Sequence, residues 1–315
     1  MIRIFKTEDG AMHEKEEMEP GSWIALTNPT ASEILEIADA YQIDPDHLKA
    51  PLDEEERSRI EAEDEYTLIL VDIPSIEERN GKDWFVTIPM AIITTKDMLI
   101  TVCLEETPVL TAFMDEESGT PHHLMKTKGL SYSIPFIKMP PSICSTMRII
   151  DKKSEVIENK LHQSQKNEEL IELLELQKSL VYFTTSLRSN EVVLEKLLRI
   201  DKIKKYPEDT DLLEDVIVEN KQAMEMTSIY NGILSGTMDT FASVISNNLN
   251  IVMKFLATVT IVMSIPTMIA SFYGMNVRAS GMPFAESPYG FGIVLFFTLL
   301  LTLIVAYIFN KKDLF

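Results

Sequence analysis

The sequence predicts an α/β domain, then long helices, then a C-terminal two-helix transmembrane hairpin. Three observations carry this. Short β-branched and apolar runs bounded by turn residues fill the first third of the chain and stop near Leu130. No proline interrupts the chain between Pro207 and Pro266, which leaves room for one very long helix. Ile251–Ala270 is 20 residues with the single charge Lys254, and Phe291–Phe309 is 19 residues with none. Each is long enough to cross a hydrocarbon core of about 30 Å at about 1.5 Å per residue. The organisation implied is a cytosolic α/β domain over 1–128, a cytosolic helical hairpin over 129–207 and the cytosolic part of a long helix over 208–250. A first transmembrane span (251–273), an extracellular loop (274–290), a second span (291–310) and a cytosolic tail (311–315) complete it.

In the first domain, Ile2-Arg3-Ile4-Phe5 and Trp23-Ile24-Ala25-Leu26 read as strands. Thr30 with Glu33 is a capping box, and Ile34, Leu35, Ile37 and Ala38 continue at helical spacing. Asp44-Pro45 opens a short helix through Leu48. Tyr66 to Ile73, Trp84 to Ile93 and Met98 to Cys103 are strands, with Asn80-Gly81 as the turn between the first two. Pro89 marks an edge or a bulge, because it cannot donate to a ladder. Thr107 to Met114 reads as helix. The acidic runs Asp53–Glu56 and Glu61–Glu65 fit a solvated linker better than divalent-ion contacts. His122 and His123 are adjacent and do not face one site on a helix, so they read as a surface pair.

Beyond Leu130 the prolines 135, 140 and 141 break the first helical piece, and helices follow from Thr146 to about Gln165 and from Asn167 to Lys205. Lys202, Lys204 and Lys205 sit where cations suit a helix end. Asp209 to Phe272 would form one helix of about 96 Å. Such a helix buries nothing alone and needs partners. Glu208 to Leu249 holds eight acidic residues and one basic residue, Lys221. In bundled copies these helices would line a vestibule with negative charge, Asp215 and Asp239 among them, or simply expose solvated charge.

The net charge of −20 argues against nucleic acid, whose backbone needs a basic partner. Two cysteines without metal spacing suggest a reducing compartment for the soluble part. No nucleophile elbow, phosphate-cradling glycine loop or HExxH occurs, which argues against an enzyme. Lys254, Lys311 and Lys312 flank the spans, while the loop between them carries Arg278 and Glu286. The positive-inside rule then puts both termini in the cytoplasm.

The first span is not uniformly apolar. Asn250, Ala257, Thr260, Ser264, Thr267 and Ser271 recur mostly at steps of three, four or seven, which places them on one helical face. Turned inward, that face packs helices closely or lines a water path. The amides of Asn250 and Asn276 stand at its two mouths. Neutral oxygens can hold a hydrated divalent ion from outside its water shell without trapping it. Met253 and Leu256 read as a hydrophobic constriction or as ordinary bundle core. One copy cannot enclose a pore, so several are needed, each giving its first span to the wall.

Tyr273-Gly274-Met275-Asn276, directly after a long helix and its span, with a second span at the extreme C-terminus, resembles the CorA family of magnesium transporters. Asn250, Met253-Lys254, Leu256 and Pro266 extend the resemblance through the first span. The resemblance implies a funnel-shaped homopentamer in a cell membrane, with Mg2+ as both transported and regulatory ion. Gly274, Met275 and Asn276 would form the outer selectivity ring, Asn250 the inner ring, and Met253 and Leu256 the gate. Asp215 and an acidic residue of the adjacent subunit's first domain, Glu77, would bind the regulatory ion. Met282-Pro283-Phe284 departs from the Met-Pro-Glu common in the family, with the acid displaced to Glu286. The resemblance also admits cobalt or nickel as further cargo; export of zinc or another divalent cation by the same build and a non-conducting tether or sensor are the competing readings.

Overall fold

The computed structural model describes residues 1–8, 11–79, 81–107, 109–111, 134–164, 167–200, 207–278, 281–284 and 287–312. His122, His123, Lys202, Lys204, Lys205 and Glu286 lie outside them. The chain divides into two compact units, Met1–Met238 and Asp239–Phe315.

The first unit is built on one seven-stranded sheet. Its strands are β1 (Ile2–Glu8), β2 (Ala11–Lys15), β3 (Ser22–Thr27), β4 (Arg59–Ala62), β5 (Tyr66–Arg79), β6 (Lys82–Thr95) and β7 (Leu99–Cys103). Their order is β2-β1-β3-β7-β6-β5-β4, antiparallel throughout except for the β3–β7 pair. β5 and β6 form a 14-pair hairpin from Tyr66↔Thr95 to Arg79↔Lys82, several residues longer at its turn end than the apolar runs suggest. Gly81 closes it at φ 73, a left-handed value that glycine adopts without steric penalty. Pro89 lies one residue beyond Met90↔Cys103, the last pair of the β6–β7 ladder, so that side of β6 is already an edge where proline sits.

Both sheet faces are covered, which is why the central strands are continuously apolar. Helices α1 (Ala31–Tyr41) and α2 (Pro45–Lys49) bury Ile34, Ile37, Ala38 and Leu48 against Leu68, Leu70, Ile93 and Ile100. The Thr30–Glu33 capping box and the Asp44 N-cap are both formed. On the opposite face, α3 (Ile134–Ser164), α4 (Asn167–Leu197) and the start of α5 (Pro207–Tyr273) supply Met139, Leu194, Leu197, Leu213, Val216 and Ile217 against Ile69, Val71, Ile88 and Met90.

Two local readings are corrected. α3 begins at Ile134 and runs through Pro140 and Pro141 instead of starting near Thr146. The two missing N–H donors are outweighed by burial of Met139, Ile143, Met147 and Ile150, all at most 3% exposed. The second acidic run is only partly linker: Glu61 and Ala62 belong to Arg59–Ala62, an edge strand whose Arg59 and Glu61 side chains suit that position. Residues 109–111 start a helical turn on the Thr107 carbonyl.

The second unit contains the C-terminal part of α5, the loop after it and α6 (Gly290–Lys311). Both helices are long and apolar enough to cross a membrane.

Candidate functional site: the polar face of the first span

Within the second unit, one side of α5 packs on α6. Thr258 is 4% exposed, and Val262, Ile265 and Ile269 are half-buried on the same side. Thr298, 8% exposed, marks the matching side of α6. At about 100° per residue, Met253, Leu256, Thr260, Ser264, Thr267 and Ser271 fall on the opposite side of α5, and Asn250 falls on its flank. All seven are exposed in the single chain, Met253 and Leu256 by 56% and 57%. The second span therefore leaves the whole polar stripe uncovered.

Three of the stripe's four hydroxyls share a geometry. Thr260 Oγ1 donates to the Leu256 carbonyl at 2.8 Å, Ser264 Oγ to Ile261 at 2.7 Å and Thr267 Oγ1 to Met263 at 3.1 Å. Each hydroxyl proton is thus held by its own helix. The oxygens present only lone pairs outward, as a hydrated cation requires.

α5 ends at the candidate ring. The Gly274 N–H donates to Ala270 and Ser271 carbonyls at 3.0 and 3.2 Å, and Met275 N–H to Phe272 at 3.3 Å. Asn276 follows, exposed. A Cβ on Gly274 would meet only those two helical carbonyls, at 3.5 and 3.6 Å, which is ordinary contact. Nothing inside one chain demands glycine there.

The loop beyond is braced by residues whose part the sequence reading did not see. Tyr273 OH donates to the Pro283 carbonyl at 2.8 Å. Phe284 takes a left-handed φ of 63, and its carbonyl accepts from Ser287 N–H at 3.2 Å. A Cβ on Gly290 would lie 2.1 Å from the Phe284 carbonyl oxygen, so only glycine fits at the start of α6. A tyrosine, a Met-Pro pair and a Tyr-Gly pair in one short loop are the turn-like signals that hint at it.

The candidate regulatory residues lie in the first unit. Asp215 is exposed on α5. One turn on, burial and then the Asp215 charge push the Glu219 carboxyl above its ordinary range. Glu77 on β5 is half-buried and pairs with Arg79 at 2.6 Å. Burial, followed by the charges of Glu77 and Glu54, raises Glu105, which accepts a hydrogen bond from Ser75. The structure does not bring Glu77 and Asp215 together as ligands within one chain. Among the described residues no three His, Cys, Asp or Glu side chains are grouped to hold a metal.

Comparison with known proteins now decides the family. The CorA-like Mg2+ transporter protein family model matches residues 20–312. The chain belongs to the CorA family. The cobalt/magnesium transport protein CorA of Methanocaldococcus jannaschii is 27% identical over 300 residues, covering 92% of this chain and 90% of that one. The magnesium transport protein CorA of Campylobacter jejuni is 26% identical over 309 residues, with 92% and 90% covered. The complete structure of the M. jannaschii CorA transporter matches with a TM-score of 0.86 at 25% identity, over 99% of this chain and 98% of that one. The CorA build of a sheet-containing domain, a long helix and a C-terminal apolar helix is therefore that of this chain. It is a membrane protein of a transporter family.

Proposed function

We propose that copies of this chain, five in number, surround an axis and pass hydrated Mg2+ across the cell membrane. Cobalt is a second cargo, consistent with the name of the M. jannaschii relative. The observation that carries this reading is the placement of α6 on the side of the first span opposite the polar stripe. Seven residues from Asn250 to Ser271 are left to face neighbouring copies, with hydroxyl lone pairs outward. Lipid would give such a face no partner.

On this reading Gly274, Met275 and Asn276 form the outer ring. A glycine that its own chain does not require fits a ring where backbones or cargo approach closely. Asn250 forms the inner ring, and Met253 with Leu256 closes the conduit by dewetting. Both termini lie in the cytoplasm. Mg2+ bound between Asp215 of one subunit and Glu77 of the next holds the closed state. Burial first, and then the neighbouring charges of Asp215 on Glu219 and of Glu77 and Glu54 on Glu105, raise these carboxyls, and the charge part of that effect is one a bound cation would relieve.

Mg2+ entry into liposomes holding the pure protein tests the reading. Asn276→Ala is expected to abolish entry while the oligomer stays intact by size. Wild-type entry in that variant, or a uniform monomer in the bilayer, overturns it.

A further inference from the structure

A groove of about 370 Å3 opens between the two spans, within the second unit. On α6 it runs from Val294 to Ile304, which is about 15 Å along the helix. That is half of a hydrocarbon core of about 30 Å, the depth of one leaflet. Val294 stands one turn beyond Gly290, where α6 begins after the loop, so the leaflet is the one on the loop side.

The walls are apolar and open. Phe297, Leu301 and Ile304 remain 55%, 45% and 45% exposed. Two hydroxyls reach the lining, and both are engaged: Thr298 Oγ1 donates to the Val294 carbonyl at 2.7 Å, and Tyr273 OH to that of Pro283 at 2.8 Å. Neither asks for a polar ligand. Tyr273 and Phe284 wall the loop end. Phe284 is held there at φ 63, a backbone region that a bulky residue avoids, so the placement of its ring is a specified feature of the loop. Ile269 joins the lining from the side of α5 that meets α6. The groove therefore lies on the side of α5 away from the polar stripe.

We propose that this groove binds one acyl chain of a phospholipid from the loop-side leaflet. The choice of occupant rests on the arrangement proposed above: copies that turn the stripe toward one another leave this side of the hairpin to the bilayer. A polar ligand would lose its water here without gaining a partner. An unbranched chain matches a slot of one-leaflet length. Lipid already surrounds the spans, so what is gained is packing: a chain seated in the groove touches both helices and two aromatic rings at once. Tyr273 is bonded directly to Gly274, so the seated chain also steadies the approach to the candidate outer ring.

The full chain, stripped of lipid in detergent, is given dioleoylphosphatidylcholine, and bound lipid is counted by native mass spectrometry. One phospholipid per subunit is expected to persist under conditions that remove the rest, and to raise the melting temperature. Leu301→Trp, which fills the groove, is expected to lower that retention roughly tenfold. Leu303→Trp, at a position of α6 that does not line the groove, is expected to keep it. If Leu301→Trp fails to assemble, Ile304→Phe is expected to lower retention roughly threefold. Phosphatidylcholine with short chains carries the same headgroup and is expected not to be retained. No persistent lipid, equal retention in the groove variants, or equal retention of the short-chain lipid overturns the proposal. Lipid counting needs no ion flux, so absent retention beside normal Mg2+ entry strikes this site and leaves the transport reading standing.

Discussion

Asn190 of α4 holds the main chain of Asp72 on β5. Its Nδ2 donates to the Asp72 carbonyl at 2.7 Å, and its Oδ1 accepts the Asp72 N–H at 2.9 Å and the Ser58 hydroxyl at 3.2 Å. β4 stops short of this point, because its last ladder pair toward Asp72 is Arg59↔Leu70. The fully buried amide takes the place of the missing strand and ties α4 to the sheet. Because Asp72 gives both main-chain groups to Asn190, its partner across the hairpin, Pro89, is not needed as a donor.

Asn190→Ala would leave two buried main-chain groups unpaired. A loss of about 2–4 kcal/mol is expected, read as a lower unfolding midpoint of the full chain in detergent. A midpoint within error of wild type would show that water or a neighbouring group replaces the amide.

The Asp72 side chain carries a pH dependence. Burial pushes its carboxyl above the ordinary range, against hydrogen bonds from Ser186 and Ser58. The folded state therefore holds its proton to higher pH than the unfolded chain does. This contribution favours folding at acid pH and is lost as pH rises through the folded value. Asp72→Asn is expected to raise stability at neutral pH and to flatten the curve across that window, as measured by melting temperature against pH.

The loop brace separates two glycines. Gly290→Ala places a methyl group against the Phe284 carbonyl and is expected to cost about 1–3 kcal/mol and to lower Mg2+ entry. Gly292→Ala, with nothing within 4 Å of the added Cβ, is expected to leave both unchanged. Melting temperature and liposome entry measured on both variants check the contrast.

Gly274 gives the opposite separation. Gly274→Ala is expected to change stability by no more than about 0.5 kcal/mol, because its own chain has room for the methyl, yet to reduce entry strongly. Equal entry at equal stability would remove Gly274 from the outer ring.

The two spans separate by face. Thr267→Val keeps the side-chain shape and removes an outward oxygen, so entry is expected to fall severalfold. Thr298→Val alters the side of α6 that packs on α5 and is expected to leave entry intact. Ion entry, with oligomer size as control, distinguishes the two.

Much of this was legible in the chain itself. The Thr30–Glu33 box and Asp44-Pro45 are local signals, and both formed. The polar stripe could be read because helical periodicity is itself local, and the second span then packed on its far side. Non-local features were hidden. An asparagine in mid-helix at 190 has no pattern of its own, because its partner lies 118 residues away. β4 was masked by its charge, which is how an edge strand is protected. Pro140 and Pro141 argued for a break by propensity, and burial of Met139 and its neighbours overrode them. The demand for glycine at 290 comes from a single carbonyl across the loop.

Thr260, Ser264 and Thr267 spend their hydroxyl hydrogens inside their own helix. Each is held by a carbonyl one turn back, so none is free to be handed to an adjoining water. Water beside such a face meets only lone pairs, so it turns its hydrogens toward the helix, the same way the shell of a divalent cation turns its own outward.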